Sequence, residues 1–156
     1  MGVCMRFPIS MALLVALSLT AIPAFAASSD EIPAEQQAIE ELEAKASQAR
    51  PKDQCFLYAE VLHRMTDLSL RQYAAGNVGP ANVLLTQIQQ ISRKIHLSVA
   101  RNDKRLKHAE ISLSTAAFRL TELLHSSDYQ DRPLIKQTIA DVNQAQDAAM
   151  MQVFEQ

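Results

Sequence analysis

Four histidines (His63, His96, His108 and His125), the thiol of Cys55 and the thioethers of Met65 and Met150 are the side chains best equipped for metal or redox chemistry. Two metal ligands carried by one helix must lie three or four residues apart to face the same ion, and no histidine pair has that spacing. His63 with Met65 or Asp67 is the nearest local combination. An axial haem ligand set would need His or Met facing a core from two helices. On a helical wheel Met65 and Met150 turn inward. His63, His108 and His125 turn away from the apolar stripes, and His96 sits at a stripe edge. The histidines therefore read as solvated surface groups and the methionines as core filler.

Nucleophilic chemistry has no better footing. There is no Gly-x-Ser-x-Gly elbow, no Gly-rich phosphate loop and no tight acid pair. Cys55 has Ala59 four residues on, where an activating histidine would be needed. It reads as a buried thiol behaving like a small hydrophobe, with an intermolecular disulfide as the rival state. Leu85-Thr86-Gln87-Ile88-Gln89 is one copy of a short Leu-Thr-x-x-Gln pattern, has no second copy at Leu120-Thr121, and assigns no family. No catalytic, cofactor-binding or metal residue is assigned, no cofactor is expected, and the chain is not expected to be an enzyme.

Composition narrows the class further. Arg6, the apolar run Met11 to Ile22 and the small residues of Ala24-Phe25-Ala26 follow the order of a secretory signal peptide, with cleavage after Ala26. The run is about twelve residues long, too short for the roughly twenty that span a bilayer. The expected location is periplasmic or extracellular, with no stable membrane anchor once the leader is removed. Loss of Arg6 and Cys4 would leave fourteen basic residues against seventeen acids and a single thiol, so no internal disulfide forms. That net charge of −3 argues against a nucleic-acid partner. Ala, Leu, Gln, Glu and Lys dominate and aromatics make up 5% of the chain, which favours an all-α fold.

The elements that would position these groups follow from the periodicity. Residues 27–33 are expected to be a flexible lead, and residues 34–156 one helical-bundle domain. Ala34 to Ala49 reads as an acidic helix with a thin stripe of Ile39, Leu42, Ala46 and Ala49. Pro51 either opens a new helix or kinks a continuing one, and the absence of a C-terminal Gly favours the kink. Cys55, Tyr58, Val61, Leu62, Met65, Leu68, Ser69 and Tyr73 share one face of the next segment. Gly76 is placed to end it, and Gly79-Pro80 to start another in a short antiparallel turn.

From Ala81 to His125 neither Gly nor Pro occurs. Ala81, Leu84, Leu85, Ile88, Ile91, Ser92, Ile95 and Val99 fall on one face, continued by Leu106, Ala109, Leu113, Ala117, Leu120 and Leu124. One helix there would be about 68 Å long at 1.5 Å per residue. The polar notch Asn102-Asp103 is its weak point, and continuity is the preferred reading over a compact bundle of roughly equal helices. The expected architecture is an elongated antiparallel helical hairpin or bundle of three to four helices built on this long helix (about 81–125). Asp131 caps a last helix with Pro133 in its first turn, and Ile135, Ile139, Val142, Ala149, Met150, Val153 and Phe154 form its face. The outward band of Arg93, Lys94, Arg101, Lys104, Arg105 and Lys107 is expected to be compensated by the acidic first helix. A chain of this kind reads as a non-catalytic binding, scaffold or chaperone-like module that associates with a protein partner or with itself. The rival reading is a periplasmic metal- or haem-binding bundle using His and Met from different helices.

Overall fold

The computed structural model describes residues 31–98 and 105–154. The expected leader (1–26), residues 27–30 of the expected lead, Val99 of the stripe, Arg101 and Lys104 of the basic band, and the Asn102-Asp103 notch lie outside the described residues. Within them the fold is all-α, with five helices and no strand: α1 (Glu31–Gln48), α2 (Pro51–Ala74), α3 (Val78–Ser98), α4 (Leu106–Ser126) and α5 (Arg132–Phe154). Glu31 to Pro33, expected in the lead, form the first turn of α1. Glu31 suits that position because its carboxylate faces the positive end of the helix dipole.

The chain reverses at Arg50-Pro51 instead of continuing through a kink. A residue before proline is pushed out of the helical region by the pyrrolidine ring. Arg50 accordingly adopts φ −62° and ψ 148°, and Pro51 opens α2 at a position where its missing N–H is not needed. The Arg50 carbonyl accepts the backbone N–H groups of Asp53 (2.8 Å) and Gln54 (3.2 Å), and its guanidinium reaches Asp53 Oδ2 at 3.0 Å. Helix α1 then runs antiparallel to α2, with Arg71 beside Glu31 (3.8 Å) and Glu35 (3.6 Å).

At the other end of α2 the termination is the one the glycine implies. Gly76 has φ +78°, its N–H bonds the Tyr73 carbonyl at 3.0 Å, and the Asn77 N–H bonds Gln72 at 2.9 Å. That is the paired 5→2 and 6→1 closure of a Schellman motif. Asn77 then offers its carbonyl to the Ala81 N–H, and α3 returns antiparallel along α2.

The expected 81–125 rod is two antiparallel helices. Lys94 of α3 lies over Tyr58 near the start of α2, whereas Arg119 of α4 pairs with Asp67 and Arg105 stacks over Phe56. Helix α4 is thus parallel to α2, and α3 antiparallel to it. The reversal at Pro51 and the folding of the 81–125 stripe into two helices share one cause. A rod of 45 residues needed α1 and α2 end to end as its cover. Once the chain reverses at Pro51, the available cover is the length of α2, about 36 Å for 24 residues, and the stripe must fold back on itself.

The resulting four-helix bundle is ordered α2, α3, α5, α4 around its axis, with α3 opposite α4, α2 opposite α5, and α1 laid on the outside of α2. Helix α5 therefore spans the bundle against both α3 and α4, not just its far end. Its companions on α4 are α2 and α5, not the acidic α1. Leu62, Leu68, Leu85, Ile88, Leu113, Leu120 and Ile135 are among the side chains sealed in the core.

The face expected for α5 is also shifted. Thr138 and Ala145 are buried with Ile135, Val142 and Ala149, while Met150 and Phe154 are exposed. Gln146 meets Glu110 across the antiparallel α4–α5 contact. Met150 is therefore level with Leu106, the first residue of α4, and Phe154 lies beyond it.

Gly76→Ala tests the turn that sets this register. A Cβ there meets no atom within 4 Å, so any loss comes from the left-handed backbone alone. The variant is expected to lose about 1–2 kcal/mol in urea unfolding with an unchanged m-value.

Candidate functional site

The histidines are scattered. His63 is half-buried on α2, His96 is exposed on α3, and His108 and His125 are exposed on α4. Among the described residues no three His, Cys, Asp or Glu side chains come close enough to share a metal ion. Met65 is 3% exposed in the core, and Met150 points outward, so the two do not face a common interior. Cys55 is 1% exposed, packed in the core as its place on the α2 stripe implies.

His63 does meet the partner named for it. Its Nε2 lies 3.8 Å from Asp67 Oδ2, and the other Asp67 oxygen accepts from the Arg119 guanidinium of α4. Its Nδ1 is buried without a hydrogen-bond partner. Asp67 is thus held by a permanent cation on a neighbouring helix, which makes His63 an addition to a structural pair rather than the first member of a metal site.

A hollow lies between the parallel helices α3 and α5, a cleft of about 300 Å³. Ser92 and Ala145 are small residues at the contact, and Arg93, His96, Asp141 and Gln144 supply the polar rim. The Ser92 hydroxyl donates to the Ile88 carbonyl at 2.9 Å, within its own helix, so no base activates it. Asp141 accepts from Gln137 at 2.9 Å through Oδ1, while Oδ2 is buried without a partner. This arrangement offers donors and one acceptor to a small polar group. It holds no nucleophile–base contact. Of these residues, only His96 and Arg93 were singled out by sequence. Asp141 and Gln144 become neighbours of His96 only because α5 runs alongside α3.

A second polar assembly closes the opposite end. Tyr73 of α2 donates to Asn82 Oδ1 of α3, and Asn82 Nδ2 donates to Asp131 Oδ1 at 3.0 Å, just before α5. Three helices are joined by two side-chain bonds. Asp131, expected as a cap, gives its carboxylate to Asn82, while its carbonyl accepts the Ile135 N–H at 3.2 Å. Desolvation, and then the negative charge of Asp131, push the Tyr73 phenol up to about 12 from its ordinary value near 10.

The basic band is split because its two halves sit on different helices. Lys94 reaches Glu43 of α1 at 2.6 Å, joining the band to the acidic helix. Arg93 turns to the α5 cleft, Arg105 to Phe56, and Lys107 to solvent. The acids Glu31 and Glu35 pair with Arg71, which lies outside the band.

Two measurements follow. Between pH 10 and 12 the unfolded chain loses the Tyr73 proton while the folded chain keeps it, so stability falls as pH rises through that window. Tyr73→Phe should flatten that fall and remove the highest step in phenolate absorbance. Cys55 should react with a thiol reagent only at the rate of unfolding, and at once in denaturant; fast labelling of the native protein would contradict its burial. Comparison with protein-family models, curated proteins and solved structures finds no match for this chain.

Proposed function

We propose that this protein is an exported, non-catalytic binding module that engages a protein partner or a second copy of itself through the outer face of α4. The observation that carries this reading is the pair Ile111 and Phe118, 51% and 64% exposed and two helical turns apart. On the α4 wheel both point away from the core residues Leu113, Ala117 and Leu120, so no packing inside the bundle requires them to be large or apolar. A well-packed core with apolar anchors left outside is the arrangement expected of an interaction face. The leader supports export, and the short connections with unactivated Ser92 and buried Cys55 support binding over catalysis.

Light scattering and cross-linking of the isolated protein test the reading. Wild type is expected to form a discrete dimer or partner complex, and Ile111→Ser with Phe118→Ser to lose it while keeping its thermal midpoint. A strictly monomeric wild type that cross-links to nothing at this face would sink the proposal.

A further inference from the structure

The bundle end where α1 and α3 finish and α2 and α4 begin gathers basic residues from four helices. Lys45, Lys52, Arg93 and Lys107 make no ion pair with any described residue. The pairs found at this end are Lys94–Glu43 and Arg50–Asp53. Away from it, Arg64, Arg71 and Arg119 are all paired to acids. Arg132 and Lys136, at the start of α5, also lack an ion pair among the described residues, so the four unpaired cations at this end outnumber the two at the opposite one.

The same end carries the most exposed large apolar side chains of the helix termini. Leu97 is 84% exposed at the end of α3, and Met151 and Phe154 are 62% and 81% exposed at the end of α5. Phe154 lies past the first residue of α4, as the Gln146–Glu110 register requires. A shallow groove of about 680 Å³ at this end is lined by Lys45, Arg50 and Arg105 together with the Asp53 carboxylate that pairs with Arg50.

We infer that this end docks peripherally on an anionic phospholipid surface, the cations meeting headgroup phosphates and Leu97, Met151 and Phe154 entering the acyl boundary. Cations around protruding apolar tips are the combination that such an interface recognises. No helix among the described residues is long and apolar enough to cross a membrane, so the contact is interfacial. The inference is independent of the α4 reading, since Ile111 and Phe118 lie on the outer face of that helix and not at this end.

Sedimentation with large vesicles tests it, using the protein as isolated with its N-terminus established by mass. Binding is expected to vesicles containing phosphatidylglycerol, to weaken with salt, and to be slight on phosphatidylcholine alone. Lys52→Glu/Arg93→Glu/Lys107→Glu and Leu97→Ser/Met151→Ser/Phe154→Ser should each lower the bound-to-free ratio about tenfold or more, with the fold verified by circular dichroism. Ile111→Ser/Phe118→Ser should leave vesicle binding unchanged. Equal binding to neutral vesicles, no binding to either kind, or binding that survives both triple variants overturns the inference. Retention on polyglutamate without vesicle binding would overturn it in favour of an acidic polypeptide on the same surface.

Discussion

Helix α2 is packed by three other helices, and the rest of the bundle is arranged around that burial. Val61 and Leu62 are inaccessible, Ser69 and Thr66 are buried beside them, and α1, α3 and α4 each cover a different strip of the helix. These two buried hydroxyls are both hydrogen-bonded. The Thr66 hydroxyl donates to Leu62 within α2, and the Ser69 hydroxyl donates to the Ala81 carbonyl of α3 at 3.3 Å. The length of α2 then limits how much stripe on its neighbours can be kept from water. That limit turns the apolar run after residue 81 into two helices packed on two sides of the same core.

The diagonal placement of α3 and α4 has consequences for the surface. A continuous rod would have carried its cations as one band facing α1. Divided between opposite corners, the band leaves Lys94 to bond α1, Arg93 to border the α5 cleft and Lys107 to stand in water. Reversal of the chain brings these residues to the end shared with Lys45 and Lys52, far apart in sequence. A weakly acidic chain thus gathers Lys45, Lys52, Arg93 and Lys107 at one end without any run of basic residues in α1 or α2 to announce it. The opposite end is tied by Tyr73, Asn82 and Asp131, a partly buried hydrogen-bonded chain.

Much of the core was legible because helical spacing is a local property. Every α3 stripe residue from Ala81 to Ile95 is buried, and so are Leu106, Ala109, Leu113, Ala117 and Leu120 on α4. Gly76 was legible for the same reason: a helix end needing a left-handed residue favours glycine whatever lies around it. The errors fall where a local signal had two readings. Pro51 permits a kink or a new helix, and Met150 with Phe154 keep the helical phase of a core stripe yet lie where α4 has just begun.

The candidate sites were least legible, since each joins residues about fifty positions apart. His96 near Asp141, Gln89 bonded to Thr138, and Asn82 bonded to Asp131 all repeat the parallel offset of α3 and α5. No periodicity within a single segment encodes that offset. Local sequence specifies the helices, most of their buried faces and the glycine-closed turn, because backbone sterics and 3.6-residue spacing act within a few residues. Where the long apolar stripe folds, which helices share a groove and which cations go unpaired emerge only from packing. Those outcomes depend on how much apolar surface distant segments can cover, and water exclusion is settled by the whole chain at once.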